Sequence, residues 1–297
     1  MSEKTLAALP NKLGEAHLVG LFNNTDKEWH DLRRTGIGGS DVAPICGLSP
    51  WTSPFALWAK KTGRIPDDFV PSEAAEWGTR LESVVLDKLV EVHPELKVHR
   101  EVGTWANSER PWQLANPDAI FEQDGELGII EIKTSRFEDD WTNDVPRYYR
   151  TQVQWYLQTF GFKRAIVAVL FGGSKYREFE VMADTFEQDA NLQAVERFRS
   201  FIESDTQPDF DGALSTLEVV RELHPDISDD EVELGQLGSL YFRAVDALAE
   251  AESSVNEAKS RVLDAMGSAK RGLVDGEWKI TRQARGGGKP FLVNKKG

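Results

Sequence analysis

Residues 116–134 read NPDAIFEQDGELGIIEIKT, and this stretch decides the fold. Two strand-like runs, at about 112–122 and 127–134, lie on either side of the dipeptide Asp124-Gly125. Asp-Gly between two such runs is a strong signal for a tight hairpin turn, because both residues tolerate the left-handed backbone that the turn needs. The stretch therefore predicts an antiparallel β-hairpin.

The second strand of this hairpin carries two charged side chains on one face. Side chains alternate along a strand, so Ile130 and Ile132 point one way while Glu131 and Lys133 point the other. The pairing also places Asp118 near Glu131, and neighbouring carboxylates repel unless a divalent cation neutralises them or one takes a proton. An amphipathic edge strand with a surface ion pair, and an Asn-Pro-Asp turn without chemistry, are the alternative interpretations.

Helices and strands alternate around the hairpin. A helix is predicted over 72–93, with Ser72 as its N-cap, and a second helix over 147–160, ending at Gly161. The apolar run at 164–172 predicts a strand buried on both faces. The remaining predictions are strands at about 97–103 and 176–182 and a helix at 185–204. We therefore expect an α/β (α+β) core, a central mixed sheet flanked by helices.

Two further expectations concern the periphery of this core. Residues 1–28 resemble a loosely structured or helical lead-in. Trp77 and Trp155 lie at apolar positions of the two predicted helices and are expected in the core.

The chain divides into two predicted segments, 1–212 and 213–297, separated by a linker at 208–212. The second segment contains a long helix at about 229–267 and a β-hairpin with Asp275-Gly276 as its turn. A narrow apolar seam with 4-3 spacing runs along the long helix. The seam consists of Leu237, Tyr241, Ala244, Leu248, Ala251, Val255, Ala258, Val262 and Ala265. It packs either inside the chain or against another subunit.

Three further side chains are candidates for a site beside Asp118 and Glu131. Glu82 borders the apolar stripe of the helix at 72–93, and a buried carboxylate there needs a partner or a metal. Gln152 and Tyr156 lie one turn apart on the helix at 147–160 and share a face. The alternative interpretations are a Glu at the polar edge of its stripe and a Gln-Tyr pair that caps the core.

A glycine-rich segment near the N-terminus has the composition of an anion site. Residues 29–41 read WHDLRRTGIGGSD. Arg33 offers a two-pronged donor for a phosphate, and Ser40 offers a hydroxyl beside glycines whose amides are accessible. Plain loop chemistry before a helix is the alternative.

Composition excludes several classes of protein. The 297 residues include one cysteine, Cys46, which excludes a disulfide framework and a cysteine-rich zinc site. No apolar run reaches the ~18 residues needed to span a bilayer, so we expect no membrane association and a cytoplasmic location. Lys and Arg number 35 against 49 Asp and Glu, a net charge of −14, which argues against a passive nucleic-acid coat.

Taken together and in this order, the motifs resemble the PD-(D/E)XK nuclease superfamily, with its restriction-endonuclease-like core. Within it, they are similar to the YqaJ-type viral recombinases, the branch of phage lambda exonuclease. The resemblance covers about residues 29–205. It rests on the block Leu32–Asp41 with Trp51, Leu57-Trp58 and Lys61-Thr62-Gly63, then Gly78…Glu82, Pro117-Asp118, Glu131-x-Lys133 and Gln152-x-x-x-Tyr156.

The resemblance implies a role for each candidate residue. Asp118 and Glu131, with the Ile132 carbonyl, would bind Mg²⁺, for which Mn²⁺ is a possible substitute. Glu82 would complete the site directly or through water. Lys133 would orient the attacking water or stabilise developing charge. Gln152 and Tyr156 would support the site and nearby DNA. The positions of Arg33 and Ser40 match those that hold the DNA 5′-phosphate.

The resemblance also implies an activity and its partners. Family members degrade one strand of linear double-stranded DNA from the 5′ end, and a single-strand annealing protein uses the remaining 3′ strand in recombination. The host would be a bacterium or a phage-infected cell, and a ring-shaped homo-oligomer is implied as one form of assembly. The alternatives are an endonuclease or 3′-directed nuclease of the same fold, and a non-catalytic DNA-end-binding scaffold.

Overall fold

The computed structural model describes residues 9–22, 27–66, 72–100 and 102–294. The chain forms two units, Met1–Asp226 and Ile227–Gly297. The helices of the first unit are α1 (Lys27–Thr35), α2 (Gly39–Ile45), α3 (Pro54–Lys61), α4 (Glu73–Val92), α5 (Arg147–Phe160), α6 (Thr185–Glu203) and α7 (Leu214–Leu223). Its strands are β1 (Lys12–Leu13), β2 (Ala16–Gly20), β3 (Lys97–Arg100), β4 (Thr104–Asn107), β5 (Leu114–Ala115), β6 (Ala119–Gln123), β7 (Glu126–Ser135), β8 (Arg164–Phe171) and β9 (Lys175–Met182).

A five-stranded mixed sheet, in the order β3-β6-β7-β8-β9, forms the centre of the first unit. The predicted hairpin is confirmed as β6 and β7, whose turn has φ values of 53° at Asp124 and 82° at Gly125. β7 and β8 run parallel, so the chain must cross over between them, and α5 lies in that crossover. The other neighbouring pairs are antiparallel.

Helices cover both faces of this sheet, which confirms the predicted α/β class. Leu89 of α4 packs in one apolar cluster with Ile130 and Ile132 of β7. Ile129, on the opposite face of β7, belongs to a second cluster that includes Trp155 of α5. Each fully buried aliphatic side chain contributes about 1.5–3 kcal/mol through burial. The side chains of 127–134 therefore alternate between the two faces of β7 as predicted, because each face packs into its own apolar cluster.

The N-terminal prediction is wrong for the described residues of that segment. Residues 9–22 contain β1 and β2 rather than a helical or loose lead-in, and they join a four-stranded sheet in the order β1-β2-β4-β5. The strand predicted at 97–103 is shorter, since β3 ends at Arg100; residue 101 lies outside the described residues, and β4, which begins at Thr104, belongs to the other sheet. Gly103, with φ of 77°, makes the bend between them, where the Gly20 carbonyl leaves no room for a Cβ.

The first unit extends beyond the predicted linker because α7 packs onto it. Thr216 of α7 is buried, and its hydroxyl donates a hydrogen bond to Ser53 Oγ at 2.7 Å. The backbone amide of Ser53 in turn donates to Ser215 Oγ at 3.0 Å. The division of the chain consequently falls after Asp226, whereas the sequence placed it after residue 212.

The second unit contains α8 (Gly235–Met266) and three antiparallel strands, β10 (Arg271–Val274), β11 (Glu277–Gln283) and β12 (Phe291–Asn294). The predicted tail of one hairpin is thus corrected to a three-stranded sheet, because the chain returns after the glycine-rich turn at 286–288 to pair β12 with β11. Along the seam of α8, Leu237, Tyr241 and Leu248 are 70%, 65% and 60% exposed. Across the described ranges, no helix is both long and apolar enough to cross a membrane.

Candidate functional site

The β6–β7 hairpin brings Asp118 and Glu131 together. Asp118 comes directly before β6, and Ala119 pairs with Ile130, so the register sets Asp118 opposite Glu131. The Asp118 Oδ2 atom accepts a hydrogen bond from the Ile132 amide at 2.6 Å. Burial raises the pKa of both carboxyls, and the charge of Asp118 raises the pKa of Glu131 further. This corner of the sheet therefore favours a neutralising partner.

One oxygen of Glu131 has no protein partner. The side chain is 2% exposed, and its Oε1 accepts hydrogen bonds from Lys133 Nζ and from Gln152 Nε2, the latter at 2.7 Å. Its Oε2 is buried without a hydrogen bond. Leaving a buried carboxylate oxygen unsatisfied is costly, so this atom is well suited to a ligand that carries positive charge.

Glu82 and Lys133 complete the charged group. Glu82 of α4 is half-buried, and burial together with the charge of Asp118 raises its pKa to about 7, against the opposing effect of Lys133. Burial by itself would lower the pKa of Lys133, but the carboxylates of Glu131 and Asp118 more than offset it, and the pKa is raised. The lysine therefore stays charged among the carboxylates, with its Nζ 5.0 Å from the ring centre of Tyr149.

The donor set suits an ion such as Mg²⁺, which keeps water molecules among its ligands, better than an ion whose ligands all come from the protein. Within the part of the chain that the structure describes, no three His, Cys, Asp or Glu side chains form a ready-made cation site. Mg²⁺ usually takes only one or two carboxylates, with water and substrate phosphate as its other ligands. The unpartnered Oε2 of Glu131 beside the Asp118 carboxylate meets that requirement.

Gln152 and Tyr156 of α5 face this group, as their spacing predicts. Gln152 Nε2 donates to Glu131 Oε1 and also to Tyr156 Oη, at 2.7 Å and 3.0 Å. Tyr156 is 3% exposed. A Cβ on Gly39 would lie 2.5 Å from Tyr156 Cε1 and 3.0 Å from Gln152 Cγ, so glycine is required for the first turn of α2 to approach α5. The glycine-rich segment therefore lies against the residues that hold Glu131.

Arg33 and Ser40 form a second charged cluster. Arg33 Nη2 donates to Ser40 Oγ at 2.8 Å and to Asp41 Oδ1 at 2.9 Å. Asp41 is 6% exposed, and its other oxygen lies 3.0 Å from Lys61 Nζ and accepts the Gly38 amide at 2.9 Å. Burial raises the pKa of Asp41, but Arg33 and Lys61 more than offset this, so the pKa is lowered. Arg33 and Lys61 thus both contact this one carboxylate.

Sequence reasoning missed the roles of Asp41 and Lys61. The available signal for Asp41 was an acidic residue directly after Ser40 in a glycine-rich segment. Lys61 lies on α3, and its Nζ also donates to the backbone carbonyls of Arg33 and Gly36, at 2.6 Å and 2.9 Å. These contacts of Lys61 join residues 28 and 25 positions apart, and no local sequence pattern indicates contacts at that separation.

Aromatic residues border the charged site on its open side. A cleft of about 630 Å³ is lined by Glu82, Lys133, Tyr149, Trp51 and Trp77, among others. Trp155 is fully buried, as expected, but the core position expected for Trp77 is wrong, since this side chain is 56% exposed. The signal for Tyr149 was its place three residues before Gln152, on the same helix face.

Comparison with known proteins identifies relatives of this chain. Residues 28–163 match the YqaJ-like viral recombinase domain. Protein YqaJ of Bacillus subtilis (strain 168) is 31% identical over 258 residues, which is 83% of this chain and 80% of that protein. Protein D345L of African swine fever virus (isolate Tick/Malawi/Lil 20-1/1983) is 28% identical over 167 residues, 46% of this chain and 47% of the viral protein.

A solved structure shows the same fold. The alkaline exonuclease LHK-Exo of Laribacter hongkongensis superimposes with a TM-score of 0.50 at 17% identity, over 66% of this chain and 97% of the exonuclease. The first unit thus has the mixed α/β fold of an alkaline exonuclease. The chain itself belongs to the YqaJ family of viral recombinases, as the order of its motifs indicates.

Proposed function

We propose that this chain is a Mg²⁺-dependent exonuclease that hydrolyses one strand of linear double-stranded DNA from its 5′ end and leaves a 3′ single strand. The observation that carries the proposal is the buried, unpartnered Oε2 of Glu131, beside Asp118 and hydrogen-bonded through Oε1 to Lys133. Carboxylates with raised pKa values next to a lysine are suited to holding a divalent cation against a phosphodiester.

Asp118 and Glu131, with the Ile132 carbonyl, would hold the ion, and Glu82 would complete its shell. When bound, Mg²⁺ or a substituting Mn²⁺ polarises the phosphate, acidifies a water molecule and stabilises the leaving oxygen. The Ile132 amide fixes the Asp118 carboxylate. Gln152 fixes Glu131 in the same way.

Lys133 and the α5 residues would control the charge and position of the reacting groups. Lys133 keeps its proton among the carboxylates, so its ammonium can orient an attacking water or stabilise charge that develops on the phosphate. Tyr156 receives a hydrogen bond from Gln152 and is buried, which keeps the amide aimed at Glu131. Gln152 and Tyr156 would therefore position Glu131 and take no part in the reaction itself.

The second cluster supports the proposed polarity of digestion. Arg33 and Ser40 would bind the terminal 5′-phosphate, because the Arg33 guanidinium is a charged donor, its Nη2 already contacts Ser40 Oγ, and Ser40 is exposed. Gly39 connects this cluster with Gln152 through close packing. A 5′-phosphate held there would place the first phosphodiester of that strand toward Glu131.

The wider role would be in recombination, in the cytoplasm of a bacterium or a phage-infected cell. The exposed 3′ strand would be the substrate of a single-strand annealing protein. A homo-oligomeric ring would hold the duplex by topology, so a chain with a net charge of −14 would need little electrostatic attraction to remain on DNA.

Strand-resolved digestion tests this function. The substrate is a linear duplex with a 5′-phosphate on one strand, a 5′-hydroxyl on the other and a different dye at each 3′ end. We expect the phosphorylated strand to shorten while it retains its 3′ dye, and a covalently closed circle to stay intact. Cleavage of the circle would indicate an endonuclease, early loss of the 3′ dye a 3′-directed enzyme, and intact DNA a non-catalytic scaffold; each would contradict the proposal.

A further inference from the structure

Two tryptophans are exposed in the cleft that Glu82 and Lys133 line. Trp51, in the segment between α2 and α3, is 63% exposed, and Trp77, in α4, is 56% exposed. Both line the cleft together with Glu82 and Lys133. A single exposed ring is ordinary, but two exposed rings that line one cleft beside charged side chains form a candidate binding surface.

The rings are supported at their positions rather than free. Trp51 contacts Tyr148 edge-on at 5.2 Å between ring centres, and it contacts Tyr149 at 6.1 Å. Tyr149 in turn carries Lys133 Nζ over its ring. Trp77 belongs to the second turn of α4, whose N-terminus is capped by Ser72. A ring held in this way loses little conformational freedom when a flat ligand stacks on it.

The charges around the two rings favour a polyanion with flat faces. Arg80 lies over the ring of Trp77, 6.0 Å from its centre, and the exposed Arg136 lines the same cleft. Aromatic faces next to cationic side chains are the combination that binds single-stranded nucleic acid, with the bases stacked and the phosphates paired. Paired bases inside a duplex offer no free face, so the tryptophans can stack only on unpaired nucleotides.

We infer that Trp51 and Trp77 are base-stacking platforms that position the unpaired nucleotides of the strand under digestion, so that hydrolysis depends on the presence of bases and not only on the phosphate backbone. The inference rests on the proposed function, and it adds a specificity: the enzyme should slow at a nucleotide that has no base. Stacking does not depend on base identity, so all four bases should be accepted alike.

Digestion of a duplex with one abasic nucleotide tests the inference. The duplex carries a 5′-phosphate and a tetrahydrofuran residue a few nucleotides into the digested strand, and its control is fully based. The unaltered chain should pause at the abasic position, with a rate about tenfold lower there. Trp51→Ala and Trp77→Ala should each be slower on the based duplex, by about fivefold to tenfold, and should show a smaller additional pause. Trp51→Phe, which keeps a ring, should restore most of the rate.

A binding measurement separates stacking from an indirect effect on catalysis. In the Asp118→Asn background, an oligonucleotide with 2-aminopurine near its 5′ end should be quenched on binding, and Trp51→Ala or Trp77→Ala should reduce that quenching. Phe186→Ala is the matched control, because Phe186 is 82% exposed on α6 and does not line this cleft. It should leave rate, pause and quenching unchanged.

The outcomes distinguish the inference from the function beneath it. If the unaltered chain digests DNA without a pause at the abasic site, or if both tryptophan variants pause and quench like the unaltered chain, the inference is overturned while the exonuclease stands. If the unaltered chain neither binds nor digests DNA, both fail.

Discussion

At the scale of single residues, the carboxylates that would hold the ion oppose the folding of the chain. Burial raises the pKa of Asp118 and Glu131, which means that each is less stable as an anion in the folded chain than in water. Unfavourable charges that persist in a folded protein are typical of functional sites. Removing one of them should therefore separate stability from activity.

Asp118→Asn should stabilise the chain and abolish its activity. The amide can still accept the Ile132 hydrogen bond, while a carboxylate beside Glu131 is lost. In EDTA we expect Tm to rise by about 2–4 °C, equivalent to ~1 kcal/mol for a unit of this size. Hydrolysis should fall at least about a hundredfold. The exposed Asp189→Asn on α6 is the control and should change neither quantity, and a lower Tm for Asp118→Asn would contradict this account.

Arg33→Ala should reduce the preference for 5′-phosphorylated ends. The unaltered chain should digest a 5′-phosphorylated duplex faster than a 5′-hydroxyl duplex, because Arg33 offers a charged contact to the phosphate. Without it we expect the ratio of the two rates to fall about tenfold. Arg34→Ala, at an exposed neighbour that pairs with Asp31, should keep the ratio. An unaltered chain with equal rates on both ends would remove the 5′-phosphate role.

Local periodicity predicted the placement of some site residues but not of others. The two-residue alternation of β7 and the turn at Asp124-Gly125 were sufficient to bring Asp118, Glu131 and Lys133 together. The contact of Lys61 with Asp41 joins α3 to α2 through tertiary packing, and no spacing rule encodes it. Trp77 was misassigned because its helix position is apolar while the surface that it faces is a cleft.

At the scale of elements, capped helices were predictable and short strands were not. The sequence predicted α4 and α5 to within a residue, because Ser72 and Gly161 fix their ends. It missed β1 and β2, because β1 pairs with β2 and β2 in turn pairs with β4, about 90 positions away. It also joined β5 to β6, although Asn116-Pro117-Asp118 interrupts the pairing between them.

His93 should make the attachment of α4 to the sheet dependent on pH. Its Nε2 lies 2.6 Å from Glu178 Oε2 of β9, and this hydrogen bond is the main reason why the pKa of His93 is raised in the folded chain. The stabilisation is complete below the unfolded pKa of about 6.5 and is lost as pH rises through the folded pKa. His93→Gln should therefore lower Tm more at pH 6 than at pH 9.

The control for this variant is His224→Gln, at an exposed histidine after α7. As an exposed substitution, it should change Tm by less than about 1 °C in thermal unfolding. An equal or larger loss at pH 9 for His93→Gln would show that the charged pair with Glu178 does not stabilise the fold.

Leu248→Asp should leave the chain folded. Leu248 lies in the middle of the α8 seam and is 60% exposed, so a charge there need not be buried. We expect Tm to change by less than about 1 °C, as for other exposed substitutions. If the seam is a subunit contact, sedimentation should show a lower mass than for the unaltered chain, and DNA should be digested in shorter bursts. Ser253→Asp, on the opposite side of α8, is the control; unfolding of Leu248→Asp alone would contradict the exposed seam.

At the scale of the whole molecule, the proposed function requires an acidic chain to act on an acidic substrate. Within a net charge of −14, the glycine-rich segment places Arg33 and Lys61 against Asp41, while Asp118 and Glu131 would be neutralised by a cation under the proposed function. The central claim is therefore that Glu131 acts on DNA through a divalent cation.

Digestion of linear, 5′-phosphorylated duplex with and without metal tests that claim most directly, with the unaltered chain and Glu131→Gln side by side. We predict hydrolysis by the unaltered chain in Mg²⁺, restoration by Mg²⁺ after EDTA treatment, and a loss of at least about a hundredfold for a folded Glu131→Gln. Calorimetry should show that this variant also binds Mn²⁺ more weakly. Digestion that continues in excess EDTA, or a Glu131→Gln variant as active as the unaltered chain, would contradict the account.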